Sequence, residues 1–115
     1  MYHGWSDPNI APLNTIHYYQ NVLKTMGEAA TDSIRLFMFP GMGHCGGGEG
    51  PDIFDAVGTL ADWFEKAQAP GQLLASRRAN GVVERTRPIC AYPQVATYKG
   101  AGSVDDAANF ECKLP

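Results

Sequence analysis

The sequence predicts an α/β fold, on three observations. Residues 33 to 70 run in the order apolar strand, glycine-rich loop, amphipathic helix, and a second amphipathic helix precedes them. The last forty or so residues change character: short strand-like bits, prolines, an Asn-Gly turn and two cysteines replace long periodicity, which reads as an irregular tail wrapped around a larger body. The expected division is residues 1–75 for the α/β part and 76–115 for the tail.

Taken in order, "MYHGWSDP" runs into a loop at Gly4, Asp7 and Pro8 without the apolar strand that would ordinarily deliver it, as though the chain began within an element. From Pro12 to about residue 30, apolar side chains at Ile16, Tyr19, Leu23 and Met26 recur at helical spacing, with Asn14 or Thr15 as N-cap. "SIRLFMFP", residues 33 to 40, is a short apolar run closed by Pro-Gly, as a buried strand would be. The loop "PGMGHCGGGEGP" follows. Then "PDIFDAVGTLADWFEKAQAP" places Ile53, Val57, Leu60 and Phe64 on one helical face, with Pro51 and Asp52 near its start and Lys66 where the helix dipole favours a cation. In open α/β sheets ligands gather at the carboxyl ends of strands, and the Asp7 and His44 loops both belong on that edge.

Composition narrows the partners. A formal net charge of -3 over 115 residues, with no Lys/Arg run, leaves no basic patch for a phosphate backbone, so nucleic acid is not expected. No apolar stretch approaches the roughly 18 residues of a membrane span, and the amino end lacks the charged and apolar regions of a signal peptide. Cys45, Cys90 and Cys112 form no C-x-x-C pair, and their odd number leaves one thiol over. Cys90 and Cys112 bracket a Pro/Gly-containing part of the tail, which a bond between them would stabilise by about 3 kcal/mol.

The chemistry-bearing residues are an acid on the first loop, Asp7, a histidine on the second, His44, and serines at 6, 33, 76 and 103. In a Ser-His-Asp hydrolase the acid orients the imidazole and the imidazole takes the serine proton. Where the chain order is nucleophile, acid, histidine, the nucleophile sits on a Gly-x-Ser-x-Gly elbow upstream of the acid. Only six residues precede Asp7, and none of the four serines has that setting. Local sequence reads Asp7 equally as an Asx-turn residue ahead of Pro8, and His44 as an ordinary loop histidine bonded to backbone. His3, His17 and His44 could be imagined with Asp7 as a metal set, but His17 falls on a helix and no two share ligand spacing, so a metal site is not expected. "GGGEG" lacks the Gly-Lys-Ser/Thr ending of a phosphate loop. Trp5, Tyr18, Tyr19, Trp63 and Phe64 read as core or domain-contact aromatics, and Arg77, Arg78, Arg85 and Arg87 as a solvated or interdomain face.

Three long stretches, "YHGWSDPNIAP", "RLFMFPGMGHCGGGEGPDIFDAVGTLADWFEKAQAP" and "RPICAYPQVATYKGAGSVDDAANFEC", resemble in order the carboxyl-terminal part of the tannase and feruloyl esterase family. The resemblance implies a secreted or periplasmic α/β-hydrolase that cleaves carboxylic esters of aromatic acids. It implies that Asp7 and His44 are the triad acid and base, that Cys90 pairs with Cys112, and that Cys45 pairs with a cysteine beside the nucleophilic serine. The serine, the oxyanion-hole loop and the calcium-bearing lid would all lie in a portion outside these residues, so no cofactor is expected here. The chain is then expected to be incomplete as a stand-alone domain and prone to associate with itself or with that portion. The alternative is a truncated, inactive module.

Overall fold

A computed structural model describes residues 1–115, apart from the side chain of Glu28. Two short strands, β1 (Tyr2–Gly4) and β2 (Phe37–Phe39), pair in parallel with Tyr2 opposite Phe37, His3 opposite Met38 and Gly4 opposite Phe39. Between them lies helix α1 (Pro12–Met26), and after β2 comes helix α2 (Ala56–Lys66). The segment expected to be irregular instead folds into two antiparallel ribbons, β3 (Gln72–Ala79) with β4 (Val82–Cys90) and β5 (Val95–Tyr98) with β6 (Phe110–Lys113). β3 runs across the expected boundary at 75/76.

β2 is apolar throughout because it is covered on both sides. Phe37 and Phe39 pack with Met42, Leu73, Ala75 and Ile89, which places the β3–β4 ribbon on one face. Leu36 and Met38 pack with Ile16 and Tyr19 of α1 on the other. Register carries this division across to β1: Tyr2 contacts the rings of Phe39 and Phe54, while His3, opposite Met38, lies on the α1 side. Strand alternation thus assigns His3 its face.

Local chemistry moves several boundaries from their expected places. α1 starts at Pro12 rather than behind an Asn14 or Thr15 cap, since proline's fixed φ suits a first helical position. It stops at Met26, not residue 30, because Gly27 takes φ 81 and a short 3-10 segment, Glu28–Asp32, follows. α2 starts behind Asp55, whose carboxylate accepts from the Gly58 N–H at 2.7 Å. Ile53 is therefore not on that helix; it bridges to Ser76 of β3. Asp52 accepts from the Gly47 N–H at 2.7 Å and so closes the glycine loop instead of opening the helix.

The ribbons form where local periodicity is weak because their order is non-local. Asn80 and Gly81 both have positive φ, 51 and 80, as a two-residue type I′ hairpin turn requires. Leu73 and Ala75 point into the core while Leu74 points out. A disulfide joins Cys90 at the end of β4 to Cys112 in β6. Arg87 stacks over the Phe110 ring at 3.7 Å, and Arg85 Nε donates to Asp105 at 2.6 Å, so two of the arginines expected on a solvated or interdomain face join β4 to the segment that carries β5 and β6.

One face stays uncovered among the described residues. Val57, Leu60 and Phe64 of α2 are 81%, 64% and 87% exposed. Beside them, Tyr2, Phe37, Phe54, Leu60, Trp63 and Leu73 line an apolar groove.

Candidate active site

The parallel pairing of β1 and β2 continues past both strand ends. Trp5 N–H donates to Phe39 O at 2.9 Å and Ser6 N–H to Met42 O at 3.0 Å, so the acid loop and the histidine loop are joined backbone to backbone. Gly4 makes this crossing possible: a Cβ there would collide with the carbonyl oxygens of Met42 and Gly43. Residues 40–51 are correspondingly tight. Glu49 and Gly50 N–H both donate to Gly41 O at 3.0 Å, Gly43 N–H donates to Gly47 O at 3.0 Å, and a Cβ on Gly50 would strike Pro40 O. The glycines serve close backbone contact more than mobility.

This scaffold brings Asp7 and His44 together. His44 Nδ1 lies 2.8 Å from Asp7 Oδ2. The other carboxylate oxygen, Oδ1, accepts from the N–H groups of Asn9 at 2.8 Å and Ile10 at 3.1 Å. Asp7 is thus both the Asx-turn residue and the histidine's partner, one oxygen for each. Burial by itself would raise its pKa, but the Asn9 N–H, the His44 ring and the Ile10 N–H outweigh it and hold the carboxyl down at about 2. Ionised, Oδ2 can only accept, so His44 Nδ1 carries a proton, and in the neutral ring Nε2 presents a lone pair. The Asp7 side chain is 3% exposed and that of His44 is 45% exposed, with no partner for Nε2 among the described residues. A buried carboxylate fixed on a half-exposed imidazole is an acid–base pair able to draw a proton from a nucleophile placed beside Nε2.

His3 lies near this carboxylate, its Nε2 3.1 Å from Asp7 Oδ2, but it is bonded elsewhere: Nε2 donates to Ile10 O at 3.2 Å and Nδ1 lies 2.7 Å from Thr15 Oγ1. His17 is exposed on α1, away from both other histidines. The shallow depression at the pair is lined by residues that include Gly4, Ile10, Thr15 and Cys45, with no serine among them. Ser6 is exposed, Ser76 lies in β3 near Ile53 O, and Ser103 accepts from the Asp105 N–H. Cys45 takes φ 61, is exposed, and is unbonded among the described residues.

A carboxylate and an imidazole joined in this way can handle a proton, and comparison with known proteins gives the family. The chain belongs to the tannase and feruloyl esterase family, whose model matches residues 1–113. It is similar to mono(2-hydroxyethyl) terephthalate hydrolase of Piscinibacter sakaiensis, with 45% identity over 118 residues, covering 100% of this chain and 19% of that protein. A probable feruloyl esterase B-2 of Aspergillus terreus is 35% identical over 131 residues, covering 96% of this chain and 25% of its own length. Among solved structures, feruloyl esterase B from Aspergillus oryzae superposes with a TM-score of 0.81 at 29% identity, covering 97% of this chain and 26% of that one. The tannin acyl hydrolase from Aspergillus niger shares the fold with a TM-score of 0.82 at 24% identity, covering 99% and 22%. The chain therefore spans 19% to 25% of the length of these curated relatives.

Proposed function

We propose that this chain is the carboxyl-terminal part of an α/β-hydrolase that cleaves carboxylic esters of aromatic acids, and that it contributes the acid, Asp7, and the base, His44, of a Ser-His-Asp mechanism. The observation that carries the reading is the Asp7–His44 contact at 2.8 Å, with the imidazole's second nitrogen left open. The nucleophile comes from polypeptide outside these 115 residues, a reading supported by the serine-free surroundings of His44 and by the small share of each relative that the chain spans. In the reaction, His44 Nε2 takes the proton of the attacking hydroxyl and later returns one to the leaving alcohol, while Asp7 holds the ring and stabilises the imidazolium.

Cys45 lies beside the base on the same loop, placed to bond a cysteine next to the nucleophile. The uncovered face of α2 supports association with that further polypeptide or with a second copy of this chain. The Cys90–Cys112 bond supports an oxidising compartment, either outside the cell or in a periplasm.

Two measurements test the reading. The purified chain alone should give no saturable turnover of a nitrophenyl or feruloyl ester; turnover that His44→Ala abolishes would refute the external nucleophile. A chimera in which this chain replaces the matching segment of the Piscinibacter sakaiensis relative should hydrolyse esters and lose at least about a thousandfold with His44→Ala. A folded chimera indifferent to His44→Ala would refute the assigned base.

A further inference from the structure

The loop that carries His44 is held from the β3–β4 ribbon as well as by its own backbone. Along β3, alternation puts Leu73, Ala75 and Arg77 on one face. Leu73 and Ala75 are buried against β2, so Arg77, one step further on, emerges past the edge of that core at the glycine loop. There its Nη1 donates to Gly48 O at 3.1 Å. An arginine expected on a solvated or interdomain face thus has its acceptor in the histidine loop.

The ribbon keeps the guanidinium there. Arg77 stands opposite Arg85, and like charges directly opposite on paired strands repel. Arg85 Nε turns to Asp105. A bulge between Arg77 and Arg78 leaves Glu84 of β4 without an opposite residue, and its carboxylate lies 3.7 Å from Arg77 Nε. The residue before Gly48 is held from the same strand. Asp52 Oδ2 accepts from the Gly47 N–H at 2.7 Å, and Asp52 is itself fixed to β3, its own N–H donating to Ser76 O at 3.2 Å. Across the mouth of the loop, Gly43 N–H donates to Gly47 O at 3.0 Å and Met42 bridges to Gly48. His44, Cys45 and Gly46 are what lies between these anchors.

We propose that Arg77 and Asp52 are positioning residues for His44: from β3 they hold the far side of its loop, Gly48 and Gly47, so that the base cannot retreat from an acid fixed on its own loop. Both act through the loop backbone and not on the imidazole itself. This role rests on the acid–base reading above, but it is measurable without turnover.

Each contact has a substitution that breaks it and one that keeps it. Arg77→Met removes the donor to Gly48 O and Arg77→Lys leaves one, while Asp52→Ala removes the acceptor for Gly47 and Asp52→Asn leaves an amide oxygen in its place. In the 115-residue chain labelled with ¹⁵N-histidine, exchange of the His44 Nδ1–H with water reports the Asp7–His44 bond. The His3 Nε2–H, bonded to Ile10 O outside the loop, is the internal control. Exchange at His44 should quicken about tenfold in Arg77→Met and in Asp52→Ala, the scale of one hydrogen bond to a charged group, and stay within about threefold in Arg77→Lys and Asp52→Asn. At His3 it should stay within about twofold in all four.

Unchanged exchange at His44 in Arg77→Met or in Asp52→Ala would overturn the proposal for that residue. Equal quickening at His3 would overturn it by making the effect a general loosening, and so would Lys and Asn variants as fast as Met and Ala. Amide dispersion of the β3–β4 ribbon reports folding in the same spectra; its collapse in both breaking variants would overturn the proposal by making the two side chains folding residues. Absence of the His44 Nδ1–H signal in the unsubstituted chain would overturn the acid–base pair and the brace together. A chimera without ester turnover, beside the expected exchange pattern, would support the brace and count against the function alone.

Discussion

Asp7→Asn tests the site most sharply because it changes almost nothing but the direction of one hydrogen bond. The amide is close to isosteric with the carboxylate, and the N–H groups of Asn9 and Ile10 require an acceptor where Oδ1 now stands. The amide oxygen therefore keeps that place and the NH₂ turns toward His44. His44 Nδ1, 2.8 Å from the substituted atom, must then accept instead of donate. The ring's proton moves to Nε2, and the lone pair that should take a hydroxyl proton is gone. The same exchange of acid for amide in a serine-protease triad lowers kcat by about ten-thousandfold through the wrong tautomer, and a loss of about that size is expected here. The assay is steady-state ester hydrolysis by the chimera at neutral pH, with the ¹⁵N shifts of His44 in the isolated chain giving the tautomer. Turnover within about tenfold of the unsubstituted protein would refute the reasoning, and so would full loss of turnover with Nδ1 still protonated.

Replacing Cys90 and Cys112 together by alanine should lower the stability of the chain by about 3 kcal/mol, seen as an earlier urea midpoint, because the bond closes a separation of 22 residues. The Asp7 carboxyl is depressed from 3.8 to about 2, so its contribution to stability is fully present above about pH 4 and is lost as pH falls toward 2. An acid titration of the folded fraction should show that loss in the unsubstituted chain and not in Asp7→Asn. Leu60→Asp with Phe64→Asp should leave the unfolding midpoint within about 0.5 kcal/mol, since both side chains are exposed, yet abolish self-association in size-exclusion chromatography. A monomer in the unsubstituted chain, with and without reductant, would refute that surface as a contact.

What the sequence made legible was set by how local each signal is. The apolar repeat Ile16, Tyr19, Leu23 needs only a helix to be read, and Ile16 and Tyr19 are buried as that repeat requires. Phe37 to Phe39 read as a buried strand because both of its faces are covered. Ile53 misled because it falls in register with Val57 and Leu60, while its actual partner, Ser76, is twenty-three residues away. The ribbons were read only as short strand-like bits and an Asn-Gly turn in an irregular tail: Arg77, Arg85 and Arg87 break any apolar alternation, and the pairing is specified by the Asn80–Gly81 turn together with cross-ribbon contacts. At the site, Asp7 and His44 were named, but their distance was not, because Gly4 sets it by admitting the Met42 and Gly43 carbonyls. His3 was weighed only as a metal ligand, and its actual bonds to Ile10 and Thr15 were not legible because strand register is what turns it toward α1.

The order within this site originates on the acid side. Asp7 is held through the N–H groups of Asn9 and Ile10, and the Ile10 carbonyl accepts in turn from His3, whose other nitrogen meets Thr15, all within the first fifteen residues. The histidine loop is closed separately by its own backbone bonds and by Asp52, and it meets the acid loop through the Trp5 and Ser6 amides. Every one of these contacts lies inside the 115 residues. The geometry of the acid and base therefore does not wait on the nucleophile: a serine delivered by other polypeptide would find an imidazole already oriented, and would need only to bring its hydroxyl to the exposed Nε2. That asymmetry fits Cys45, which stands exposed at the histidine and outside the bonds that hold the acid, where a covalent link would govern the approach of the nucleophile and leave the acid–base distance untouched.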